Sequence, residues 1–114
     1  MTCESGELVA AAVVPAGHPL VVEHAAPSTL AFEMAAQAAA ALSVIESGGQ
    51  AEPREGYLVG ARNATFGRPW IAVGEELRVT VTPAGSAPPL AVHDFTVHAG
   101  EALVASGTIS TYSL

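Results

Sequence analysis

The chain has 114 residues, half of them apolar and only 5% aromatic, which is enough for one modest core and too little for two independent domains. Its charge is one-sided: four Arg, no Lys, eleven acidic residues and a formal net charge of −7. That balance disfavours nucleic acid, which is bound mainly through cationic contacts to phosphates, and it weakens docking of an acidic partner on this chain alone.

No apolar stretch reaches the about 20 residues that a membrane span needs, and no basic region precedes an apolar run at the N-terminus. The expectation is a soluble, cytoplasmic protein with no membrane association. Cys3 is the single cysteine, so an internal disulfide and a cysteine-based metal cluster are excluded, and Cys3 reads as a thiol in a polar tail. With few rings and many Ala, helix and sheet should meet through small side chains. Such a core is shallow, and its stability then depends on burial against another subunit.

Residues 7–14 are short, apolar and Val-rich, and Pro15-Ala16-Gly17 breaks them, so they read as a buried strand. A loop with His18 and His24 follows. From Ser28 or Thr29, either of which can act as N-cap, to about Ser47 the chain has strong helix formers and no internal Gly or Pro. Gly48-Gly49 ends this helix. Between Leu30 and Leu42 only Glu33 and Gln37 are polar, which predicts a central helix wrapped by protein.

After a polar connection over 50–55, strands are predicted for Tyr57 to Phe66, Glu75 to Thr82, Leu90 to His98 and Ala102 to Tyr112. Turns at Gly67-Arg68-Pro69, Val73-Gly74, Pro83 to Pro89 and Ala99-Gly100 separate them. Leu77, Val79 and Val81 alternate with Arg78, Thr80 and Thr82, and Leu103, Ala105 and Gly107 alternate with Val104 and Ser106. This period of two suits an antiparallel sheet covered on one face. The expected architecture is α+β, a single domain over residues 1–114 in which a curved antiparallel sheet wraps a central buried helix.

A carboxylate in an apolar helix is costly to bury ionised, so Glu33 faces a cleft, finds a partner or shifts its titration. All three are devices of active sites. The bland alternative is that the helix rolls Glu33 to solvent or bonds it to a backbone amide. His18, between Gly17 and Pro19, sits in a fixed and exposed kind of turn; taken alone, it reads as a surface residue. His24, beside Glu23, is a second candidate base. His93 and His98 are five apart in one strand, point to opposite faces, and so share no metal; they read as surface or interface residues. No glycine-rich phosphate loop, nucleophile elbow or metal-ligand cluster is present.

Two stretches together resemble a known family. The first is Gly17-His18-Pro19 and then Pro27-Ser28-Thr29-Leu30-Ala31-Phe32-Glu33-Met34-Ala35-Ala36-Gln37; the second is Gly60-Ala61-Arg62-Asn63-Ala64-Thr65-Phe66-Gly67-Arg68-Pro69 followed by Gly74-Glu75-Glu76-Leu77. They are similar to motifs of the hot-dog-fold 3-hydroxyacyl-carrier-protein dehydratases of fatty acid, polyketide and aryl polyene biosynthesis. The resemblance implies dehydration of a 3-hydroxyacyl thioester to the trans-2-enoyl thioester, a lyase reaction with His18 as base and Glu33, from the other subunit, as acid. It implies no cofactor beyond the phosphopantetheine that carries the substrate, and an acyl carrier protein as partner.

By the same resemblance the helix start at Ser28-Thr29 polarises the thioester carbonyl, with the Gly17 side of the loop as the other candidate. The acyl chain follows Phe66, Trp70 and Met34; Arg62 or Arg68 meets the phosphopantetheine arm; Gln37 completes the motif. The departures are a loop one residue longer between His18 and Glu33, Ser28 where the family has glycine, and a shorter N-terminal segment. With the missing basic surface, these point to a heterodimer with a second hot-dog chain, the homodimer being the alternative. The competing functions are a hot-dog acyl thioesterase and a non-catalytic accessory subunit of a heteromeric dehydratase.

Overall fold

The computed structural model describes residues 2–4, 6–46, 56–87 and 90–113. In chain order its elements are β1 (Thr2–Glu4), β2 (Glu7–Ala12), β3 (Ala25–Pro27), α1 (Leu30–Glu46), β4 (Gly56–Phe66), β5 (Trp70–Ala72), β6 (Leu77–Ala87), β7 (Leu90–Ala99) and β8 (Ala102–Ser113). The α+β expectation holds. One helix packs on a six-stranded sheet ordered β1-β2-β6-β7-β8-β4, while β3 and β5 form a separate two-stranded sheet. Every strand pair is antiparallel.

Alternation sets the covered face. Leu77, Val79 and Val81 are buried, while Arg78 between them is exposed. Register carries that face across the sheet through Val79 opposite Val97 and Val81 opposite Phe95, then Val97 opposite Ala105 and Phe95 opposite Gly107. A Cβ on Gly107 would lie 3.3 Å from the Phe95 ring and 3.2 Å from the Arg62 carbonyl oxygen. Glycine there lets the ring and β4 both close on β8.

The helix meets this face through Leu30, Ala31, Ala35, Ala38, Ala39 and Leu42, all buried. Four of the six are Ala, so the axis comes close to the sheet, as the composition leads one to expect. Phe32 is the large exception. Its ring stands edge-on to Phe66 of β4 (centroids 5.6 Å apart, 84°) and to Phe95 of β7 (5.5 Å, 79°), which ties the helix to two strands at once.

Several expectations need correction. The helix is not wrapped on every side: Thr29, Glu33 and Gln37 form an exposed stripe opposite the sheet, because one curved sheet covers only the face that its apolar rows reach. The strand expected at 7–14 ends at Ala12, and of residues 7–14 only Leu8 and, beyond the strand, Val14 are fully buried. The turn expected over Pro83 to Pro89 is shorter, since β6 runs to Ala87 through an irregularity between Pro83 and Gly85; proline is tolerated in a strand at such a bulge. His93 is 4% exposed and packs with the core side of β7, not at the surface.

Three short strands were not expected. Cys3 lies in β1, whose backbone pairs it with Leu8, so this segment is no free tail. Strands β3 and β5 are only three residues each, too short for periodicity to declare them. The Gly48-Gly49 stop and the connection 50–55 lie outside the described residues. Among the described residues no helix is long and apolar enough to cross a membrane.

Candidate functional site

The entry to α1 is held by backbone bonds rather than by a hydroxyl cap. Ser28 N–H donates to the Pro69 carbonyl at 2.9 Å, Ala31 N–H to the Ser28 carbonyl at 3.0 Å, and Phe32 N–H to the Thr29 carbonyl at 3.1 Å. Among the described residues neither the Ser28 nor the Thr29 hydroxyl caps the helix, contrary to the sequence expectation. The Ser28–Pro69 bond extends the β3–β5 pairing, in which Pro27 stands opposite Trp70. It brings the loop after β4 against the helix start.

That loop is pressed onto β8. Gly67 N–H donates to the Val104 carbonyl at 2.9 Å, and a Cβ on Gly67 would fall 1.8 Å from the Leu103 carbonyl oxygen. Only glycine fits. Pro27, Ser28, Thr29, Phe66, Gly67, Arg68 and Pro69 then line an open groove of about 500 Å³. Four of the residues expected to meet substrate, Ser28, Thr29, Phe66 and Arg68, are therefore gathered in one place although they are far apart in sequence.

The groove is rich in donors. Among the described residues the N–H groups of Thr29 and Leu30 have no acceptor, as befits the first turn of a helix, and they carry its positive dipole end. The Ser28 side chain is 2% exposed and its Oγ has no partner; burying such a hydroxyl unpaired costs about 1–3 kcal/mol. Arg68 pairs with Glu75, Nη2 to Oε1 2.8 Å, with both side chains about one-third exposed. The same carboxylate oxygen accepts Ala72 N–H at 3.4 Å. Glu75 thus fixes the guanidinium and cancels its charge. Sequence reasoning missed Glu75 and Pro69, because a partner seven residues away across a short strand leaves no periodic signal.

Glu33 projects from the first turn of α1 on the exposed stripe. No hydrogen bond or ion pair engages it among the described residues. Gln37, one turn on, is exposed and stands at the rim of a smaller cleft of about 200 Å³ between α1 and β2, lined also by Met34, Ala38, Ala41 and Val79. Met34 and Phe66 thus line different clefts. Trp70 is 53% exposed on β5. Arg62 is exposed on β4, the terminal strand of the sheet, whose residues 60–66 are all exposed.

His18 is half-buried, and its Nδ1 accepts Leu20 N–H at 3.1 Å. The neutral ring therefore carries its proton on Nε2, so proton abstraction through Nε2 requires that bond to break. His24 is held differently. Val22 N–H donates to the Ala25 carbonyl at 2.8 Å and Ala25 N–H to the Val22 carbonyl at 3.2 Å, closing a two-residue turn in which Glu23 (φ 52°) and His24 (φ 67°) are both left-handed. Such turns favour Asn-Gly or Asp-Gly, and a non-glycine residue there costs roughly 1–2 kcal/mol. His24 is exposed at the tip. No bond within the chain joins either histidine to Glu33 among the described residues.

The family model described as ApeP dehydratase, of the ApeP-like family, matches residues 1–114. Among curated proteins none matches by sequence. Of solved structures, the dehydratase heterocomplex ApeI:P of Xenorhabdus doucetiae is similar at 17% identity and TM-score 0.87, over 100% of this chain and 79% of that one. TT0310 of Thermus thermophilus is similar at 21% and 0.68 (100% and 89%); a probable thioesterase of Bartonella henselae at 10% and 0.68 (96% and 90%). These likenesses establish the hot-dog fold.

Proposed function

The chain belongs to the ApeP-like dehydratases, and from that premise we propose that it is a subunit of a 3-hydroxyacyl-thioester dehydratase whose working site is shared with a second hot-dog subunit. The observation that carries this is Glu33: an unpartnered carboxylate on the exposed face of α1, one turn from the acceptor-less amides of Thr29 and Leu30. A general acid needs a dry, structured setting to hold its proton. A single chain does not supply one, so cover from a partner is part of the mechanism.

In this reading the Thr29 and Leu30 N–H groups polarise the thioester carbonyl and hold the enolate oxygen. His18, once its Nδ1 is released from Leu20 N–H so that a ring nitrogen is free to accept, takes the α-proton, the bond from the β-carbon to the hydroxyl breaks, and Glu33 gives that oxygen the proton with which it leaves as water. The base and acid facing one another come from different subunits. The long exposed edge of β4 supports such a partner, since an unpaired strand edge is ordinarily covered or blunted. An acyl carrier protein delivers the substrate on phosphopantetheine, with no other cofactor, in the cytoplasm, and residues 1–114 act as one domain. The partner supplies the basic carrier-docking surface that a chain of net charge −7 lacks. A homodimer of the isolated chain with full turnover on carrier-bound substrate would sink the heteromeric form of this proposal.

Two other readings each have an observation in their favour. The Leu20 bond to His18 Nδ1 suits an accessory subunit in which this histidine is structural, or a thioesterase in which the helix carboxylate activates water without a loop base. Incubating the assembled protein with a 3-hydroxyacyl thioester and following enoyl absorbance against released thiol separates them. Enoyl product without thiol, abolished by Glu33→Gln, is the expected result. Thiol release that survives His18→Ala marks a thioesterase, and unchanged turnover in the Glu33→Ala complex marks an accessory subunit.

A further inference from the structure

His18 is held by its own loop. Its N–H donates to the Pro15 carbonyl at 3.0 Å, its carbonyl accepts Val21 N–H at 3.0 Å, and its ring accepts Leu20 N–H at 3.1 Å. Among the described residues none of its hydrogen bonds leaves residues 15–21. The place of the imidazole relative to the helix is therefore set by whatever anchors the two ends of the loop.

One short segment anchors both ends. Where the loop departs, Val14 bridges Val73, and Gly74 N–H donates to the Val14 carbonyl at 3.1 Å. Where it returns, Val73 N–H donates to the His24 carbonyl at 2.9 Å. The two donors are neighbours inside a turn over 72–75 that Glu75 N–H closes onto the Ala72 carbonyl at 3.2 Å. Its third residue, Gly74, has φ 78°, and Val73 before it stays out of the positive-φ region; that pattern is a type II turn.

Turn type decides where the Gly74 amide points. Types I and II differ by a flip of the central peptide, here the one joining Val73 to Gly74, so this N–H meets Val14 only in type II. A residue with a β-carbon at the third position favours type I. Nothing lies within 4 Å of a β-carbon built on Gly74, so glycine serves here through its backbone and not by leaving room. Glu75 reinforces the turn: its Oε1 accepts Ala72 N–H at 3.4 Å while it pairs with Arg68.

We infer that the turn over 72–75 is a clasp that positions the His18 loop for catalysis, with Gly74 as the positioning residue. Gly74 acts at a distance from the reacting atoms, by keeping its amide aimed at Val14 while the Val73 amide holds His24. The inference rests on the dehydratase reading for the role of His18; the anchoring of the loop does not.

The test compares Gly74→Ala and Gly74→Asn with wild type in the assembled protein, by amide hydrogen exchange and by turnover of S-(3-hydroxybutanoyl)pantetheine. In Gly74→Ala the amides of His18, Val21 and residue 74 are expected to exchange about tenfold faster, the penalty of a β-carbon in the left-handed region. Those of α1 and β7 keep wild-type protection. The kcat falls by a similar factor and KM stays within about twofold, because the helix-start amides are untouched. Asn tolerates the left-handed region, so Gly74→Asn restores most of both.

Unchanged loop exchange in Gly74→Ala would overturn the inference. So would a rise shared equally by α1 and β7, which assigns Gly74 to the stability of the whole fold, and so would an Asn variant no better than Ala. Faster loop exchange with kcat unchanged removes the positioning role. His18→Ala separates this inference from the dehydratase reading. Turnover that survives it fails the base assignment and with it the catalytic purpose of the clasp, while loop exchange still decides the anchoring.

Discussion

The two faces of α1 differ in both composition and exposure. Toward the sheet, Leu30, Ala31, Ala35, Ala38, Ala39 and Leu42 are buried; away from it, Thr29, Glu33 and Gln37 are exposed along a stripe flanked by half-buried Ala36 and Ala40. A soluble helix whose outer face were meant for water would carry more charge there. Here the outer face holds one carboxylate and one amide among Ala, which is how a surface looks when another protein surface completes it. The inner face stores stability, while the outer face leaves its one carboxylate without cover from this chain.

The sharpest way to separate the faces is Glu33→Gln. It keeps shape and removes the titratable proton, so turnover of the assembled enzyme should fall about 10²- to 10⁴-fold, the usual worth of a general acid. Unfolding in urea should stay within about 1 kcal/mol of wild type, because an exposed first-turn acid loses only its favourable setting near the helix dipole. A large loss of stability would mean that the outer face also holds the fold.

Leu42→Ala is the converse. It removes a fully buried side chain from the inner face, and the urea midpoint should drop by the equivalent of about 2–5 kcal/mol. Turnover per folded molecule should be retained at temperatures where the variant is folded. Between the two lies Phe32→Leu, at the boundary of the faces. It forfeits two edge-on ring contacts, to Phe66 and Phe95, worth together about 1–3 kcal/mol. Because Phe66 also lines the groove at the helix start, this variant should lose stability and substrate affinity together, measurable as paired shifts in urea midpoint and KM.

The inner face was legible in the sequence; on the outer one Glu33 was singled out, but its exposure was not foreseen. Periodicity located Leu77, Val79 and Val81 on the covered side of β6, and the Gly- and Pro-free run located α1, because local propensity and burial agree there. A helix with two polar residues in thirteen positions, however, reads as buried all round, whereas Glu33 and Gln37 are exposed in the structure. The motifs named Glu33, Ser28, Thr29, Phe66 and Arg68, and the fold brings the last four together. What no spacing announced was the bonding that fixes them: Pro69 on the Ser28 amide, Glu75 on Arg68, Leu20 on the His18 ring. These are contacts between a loop and its neighbours, set by register and close backbone approach at Gly67 rather than by any repeating pattern.

Gln37 offers the finest discrimination. It follows Glu33 by one helical turn, about 6 Å along the axis, and stands at the mouth of the Ala-lined cleft rather than in the groove by Ser28. As a solvated surface residue, its replacement by Ala would change stability by no more than about 0.5 kcal/mol and leave kinetics untouched. If the outer face is one continuous substrate-bearing surface, Gln37→Ala should instead raise KM severalfold with kcat unchanged, the pattern of an interaction made equally in ground and transition states. A fall in kcat at constant KM would place Gln37 with Glu33 in the chemistry itself. A silent variant would confine the working part of the outer face to the first turn of the helix, where the amides of Thr29 and Leu30 already lie.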